Sequence, residues 1–71
     1  MSDTKTKSLA RQFAANLLEC ERRNDFGGLH AQARRDLSET IYTHTPRTGY
    51  RLPNGRVTTD FRKAVDAWGA V

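Results

Sequence analysis

Cysteine is almost missing from this chain. Cys20 is alone among 71 residues, so no internal disulfide can form. Glu19 and Glu21 flank it, and neighbouring negative charge disfavours the reactive thiolate. The thiol falls on an apolar helix face and reads as a small core residue. Long hydrophobic runs are missing too: none approaches the ~20 residues that span a bilayer, so no membrane partner is expected. The start, Met1 to Ser8, lacks the apolar core of a secretion signal. Together with one unpaired thiol, this sets the expectation of a cytoplasmic protein. Arg outnumbers Lys nine to three, which leans towards a bacterial cell or one infected by a phage.

Catalytic equipment is also wanting. The sequence holds no nucleophile with an adjacent base, no paired carboxylates, no phosphate-cradling glycine motif and no metal-ligand spacing. His30 and His44 stand fourteen positions apart, about 21 Å on a continuous helix, with no Cys or carboxylate at ligand spacing. Gly27-Gly28 could offer backbone N–H groups to an anion, but a turn between helices accounts for the pair. The expectations are therefore no enzyme, no catalytic residues, no metal and no cofactor.

Acid is absent from one long stretch. Between Thr40 and Thr59 there is no Asp or Glu, while Arg47, Arg51 and Arg56 stand there with Tyr42, Tyr50 and His44. The second half of this stretch, about residues 49–59, predicts a β-hairpin around Pro53-Asn54-Gly55. Asn-Gly favours the positive φ angles of tight hairpin turns. Two loops compete. A two-residue Asn54-Gly55 turn sets Leu52 opposite Val57 and Tyr50 opposite Thr59, keeping one apolar face. A three-residue loop sets Leu52 against Arg56. Because a one-residue slip moves every side chain across the sheet, coherence of the faces favours the two-residue turn.

What the chain does have is helical periodicity. Ser8 is placed to cap a helix running to about Arg23, with Leu9, Ala10, Phe13, Ala14, Leu17, Leu18 and Cys20 on one side. Residues 1–7 are polar and are expected to form a flexible lead-in to a single domain over 8–71. Asn24 to Gly28 break the pattern, and Asp25 can cap a second helix. Its apolar stripe is Phe26, Leu29, Ala33, Leu37 and Ile41, with Arg34, Arg35 and Tyr42 pointing away, and Pro46 ends it. Asp36 and Glu39 lie near enough to Arg35 and Arg34 to suggest local pairing. Thr59 or Asp60 caps a third helix carrying Phe61, Ala64, Val65 and Trp68, with Gly69 as its stop.

The fold expected is mainly α with one β-hairpin, in the order α-α-ββ-α. A domain this small buries only about 60% of its chain surface, and its large apolar side chains are few, which favours a homodimer. Net charge is +4 with a pI near 9.8, too dilute for a committed nucleic-acid binder. A helix-turn-helix fits poorly, since the second helix carries its arginines in mid-helix. The candidate binding residues are Arg47, Tyr50, Arg51, Arg56 and Tyr42. Arg and Tyr are what protein interfaces favour, so the leading expectation is a non-catalytic regulator or inhibitor of the small phage or mobile-element type. It would occlude a host protein or protein–nucleic acid complex. The alternative is a nucleic-acid-binding regulator that uses the hairpin as a wing. A third reading leaves the hairpin simply solvated, its arginines protecting a sheet edge.

Overall fold

The first helix stops where the sequence runs out of apolar periodicity. In the computed structural model, which describes residues 2–43 and 48–71, α1 spans Ser2–Arg22. Asn24 adopts φ +58° and gives the chain its exit. Asn24 N–H donates to Glu21 O at 3.0 Å and Asp25 N–H to Cys20 O at 2.8 Å. This pair of bonds satisfies the last helical carbonyls in a Schellman arrangement, with Asn in the role glycine usually fills. At its other end α1 begins earlier than expected. Ser8 is an interior position and no N-cap, and residues 2–7 belong to the helix. Thr6 is half-buried and lines a cleft together with Asn54 and Gly55 of the hairpin tip, an arrangement that a purely local reading of polar residues misses.

The second helix, α2, spans Gly28–Ile41 with Gly27 as its N-cap and no side-chain cap. Asp25 does not cap it: its Oδ1 instead accepts from Gly27 N–H at 3.2 Å, shaping the turn before the helix. Ala33, Leu37 and Ile41 are buried as the stripe requires. Phe26 and Leu29 are not, at 60% and 72% exposed. The stripe outruns the surface available to cover it. Ile41 ends the helix, and Tyr42–Thr43 continue as a short strand, β1. His44, Thr45, Pro46 and Arg47 lie outside the described residues, and with them the expected stop at Pro46.

The ribbon is part of a larger sheet than expected. Strands β1, β2 (Gly49–Arg51) and β3 (Val57–Thr58) form an antiparallel sheet in that order. Tyr50 pairs with both Tyr42 and Thr58, and Arg51 pairs with Val57. This register is that of the three-residue loop, so the expected two-residue turn is overturned. Gly55 N–H donates to Leu52 O at 3.0 Å, and Leu52 N–H to Arg56 O at 2.7 Å. Pro53 takes the first central position, where its fixed φ is suited, and Gly55 takes φ +90° as the bulge. Asn54 Oδ1 accepts from Arg56 N–H at 2.9 Å and locks the bend. Local turn chemistry therefore outweighs the face-matching argument, because Arg56 is exposed beside the loop and needs no apolar partner.

The third helix, α3, spans Phe61–Gly69 and is capped by Asp60, whose carboxylate accepts from Arg62 N–H and Lys63 N–H. Ala64, Val65 and Trp68 turn inward. One core results, built from Ala10, Ala14 and Leu17 of α1, Ala33, Leu37 and Ile41 of α2, and these three. Phe13, Leu18, Tyr50, Leu52 and Phe61 pack around it. Cys20 is half-buried and stands outside that core, contrary to the expectation. The architecture is mostly helical, a helical hairpin closed by the small sheet and α3, as the sequence implied.

Candidate functional site

The hairpin's backbone is held from below. Trp68, buried in the core, donates its indole Nε1–H to Arg51 O at 2.7 Å. The bond fixes the backbone of the central strand while leaving the Arg51 side chain exposed. Arg56, across the loop, is exposed as well. Among the described residues neither guanidinium forms an ion pair. Val57, the cross-strand partner of Arg51, is 40% exposed, so a cation and an apolar side chain stand together on this side.

Tyr50 belongs to a different surface, since successive strand residues face opposite ways. Its ring meets Tyr42 at 5.7 Å and Phe61 at 5.0 Å between centroids, both edge-on. Over Phe61 lies the Arg34 guanidinium, 5.8 Å from the ring centre. The sheet thus divides the five predicted site residues. Arg51 and Arg56 share the loop, Tyr42 and Tyr50 share the α2 side through cross-strand pairing, and Arg47 lies outside the described residues. The sequence reading missed Arg34 and Phe61 as members of the aromatic cluster. They sit on different helices, and no spacing in the sequence ties position 34 to position 61.

Behind this surface an ion-pair node joins the three helices. One terminal nitrogen of Arg62 reaches both Glu21 oxygens, at 2.7 and 2.8 Å. Its Nε stands 3.3 Å from Asp66, and His30 Nε2 stands 3.4 Å from Glu21. The bond to Arg62 holds the Glu21 carboxyl below its ordinary value of 4.5, against the opposing effect of partial burial and helped by His30. The Arg62 guanidinium is held protonated even more firmly, first by the same hydrogen bond.

Several other acids are engaged as well. Glu19 pairs with Arg22 and Arg23, Asp25 takes Gly27 N–H, and Asp60 caps α3. Asp36 accepts from Gln32 at 2.8 Å; the expected pairing with Arg35 is not made, nor that of Glu39 with Arg34. Arg34, Arg35, Arg51 and Arg56 are exposed and form no ion pair among the described residues, as is also true of Lys5, Lys7, Arg11 and Lys63 and of the exposed acid Glu39. A guanidinium presents a rigid fork of N–H donors matched to carboxylate or phosphate. Among the described residues no three His, Cys, Asp or Glu are grouped to hold a metal ion, and no helix is long and apolar enough to cross a membrane. No protein-family model, curated protein or solved structure matches the chain.

Proposed function

We propose that this protein is a non-catalytic binding module that engages an acidic surface of another protein and blocks access to it, as a small regulator or inhibitor would. The observation that carries the reading is the pair Arg51 and Arg56. Arg51 ends β2, whose backbone the buried Trp68 holds, and Arg56 stands just past the loop. Both are exposed and neither forms an ion pair among the described residues, while Glu19, Glu21 and Asp66 are taken up in ion pairs and Asp60 in a cap. Charge held out in this way interacts with whatever anionic surface arrives, and its ordering cost is reduced by the braced backbone. The exposed Val57 beside Arg51 supports a protein partner, because interface centres combine arginine with apolar area. The split of cations between two sides of the sheet also favours protein, since a duplex would be met by one continuous basic stripe.

Affinity capture from a bacterial lysate, with and without nuclease, checks the reading. The expected outcome is a protein retained after nuclease treatment at moderate salt. The charge-reversed pair Arg51→Glu with Arg56→Glu should weaken that retention by about tenfold or more, the scale of interface arginines. Retention that disappears with nuclease, and falls steeply with salt, would instead mark a nucleic-acid binder.

A further inference from the structure

A groove of about 530 Å³ runs between α2 and the sheet, on the side away from Arg51. Its rim carries Arg34, Arg35 and Ser38, and its wall is formed by Phe26, Tyr50 and Phe61. No acid lines it. Glu21, which touches His30 of the lining, is already taken by Arg62 at 2.7 Å. The volume falls inside the roughly 300–1,000 Å³ range of ligand clefts. The core does not use the apolar part of this groove fully, since Phe26 is 60% exposed at its end.

We propose that this groove receives a short acidic segment of the protein partner, with a carboxylate on Arg34 and Arg35 and a neighbouring apolar or aromatic side chain against Phe26, Tyr50 and Phe61. The inference rests on the protein-binding reading above and assigns it a second, separate contact. Charge complementarity selects the anion, because two guanidinium groups without ion-pair partners flank an acid-free groove. The aromatic wall selects what accompanies it. Arg34 is the key residue. Its guanidinium carbon lies 5.8 Å from the centre of the Phe61 ring, within cation–π reach, and a guanidinium carries a planar fork of N–H donors suited to a carboxylate. A lysine there would keep the charge and lose the fork.

The probe is a fluorescein-labelled hexapeptide of alternating Glu and Phe, titrated by fluorescence anisotropy. Hexaglutamate and a hexathymidylate strand serve as comparisons, and circular dichroism checks that each variant is folded. Saturable binding of the Glu-Phe peptide is expected, with about a tenfold loss in Arg34→Glu with Arg35→Glu, and a clear loss in Arg34→Lys. The Arg51→Glu with Arg56→Glu pair should lose clearly less affinity for the hexapeptide than the Arg34/Arg35 pair does. If that pair loses the peptide and the Arg34/Arg35 pair keeps it, the groove inference fails while the hairpin reading stands. Equal affinity for hexaglutamate would show charge alone at work and overturn the aromatic half of the proposal. Binding of hexathymidylate in preference to the peptide would overturn both readings, and no saturable binding of any probe would overturn the groove.

Discussion

At the scale of single residues, Glu21 is the most informative. It ties the end of α1 to Arg62 at the start of α3 and lies beside His30 of α2. Its folded-state carboxyl is held below 4.5, so the unfolded chain binds the extra proton in that window. The stability it contributes is therefore fully present above about pH 4.5 and is lost as the pH falls through the lowered value. Because the Arg62 side chain is 55% exposed, solvent screens the pair. Glu21→Gln should cost roughly 1 kcal/mol at neutral pH and flatten the acid limb of the stability curve, read by urea melts from pH 7 down to 3. A variant with an unchanged acid limb would show that the node contributes nothing. None of this was legible in the sequence. Glu21 and Arg62 are 41 positions apart, and only the packing of α1 against α3 brings them together.

At the scale of elements, the hairpin shows which local signals decide. Asn54-Gly55 marks the ribbon in the sequence, and matching of apolar faces favours the two-residue loop. The three-residue loop forms instead, because Leu52 is half-buried while Arg56 opposite it is exposed, so the two need not share an environment. Pro53 at the first turn position and Gly55 at φ +90° were the stronger signals. The third strand escaped notice for a related reason. Two residues, Tyr42 and Thr43, are too few to show alternation, and they follow a helix whose periodicity runs into them. By contrast the Asp60 cap and the buried Ala64, Val65 and Trp68 followed directly from spacing. Gly49 carries a consequence of the sheet's tightness. A Cβ there would lie 2.7 Å from Val57 Cγ1 and 2.9 Å from Thr58 O, and the backbone oxygen cannot step aside. Gly49→Ala should destabilise by about 1–3 kcal/mol through overpacking. Gly55→Ala, which meets no atom within 4 Å but keeps φ +90°, should cost roughly 1 kcal/mol from backbone strain alone. Thermal melts of the two variants give the comparison, and a Gly49→Ala that costs less than Gly55→Ala would contradict the register described.

At the scale of the whole molecule, the distribution of charge separates scaffold from surface. Acids serve the scaffold by capping α3, tying α1 to α3 and steadying the turns. Arg51 and Arg56 of the hairpin and Arg34 and Arg35 of α2 are among the cations that form no ion pair in the described residues, in a chain of net charge +4. That division was half legible. The acid-free stretch pointed to Arg51 and Arg56, but the second cationic face needed the fold, which brings Arg34 over Phe61. The central claim is that a Trp68-braced hairpin presents Arg51 and Arg56 to an acidic protein. Its most direct measurement is the change in backbone amide chemical shifts of the labelled protein when a captured partner is added. The account predicts the largest changes at Arg51, Asn54, Gly55, Arg56 and Val57. Changes confined to the outer faces of α1 and α3, with these hairpin amides unmoved, would contradict it.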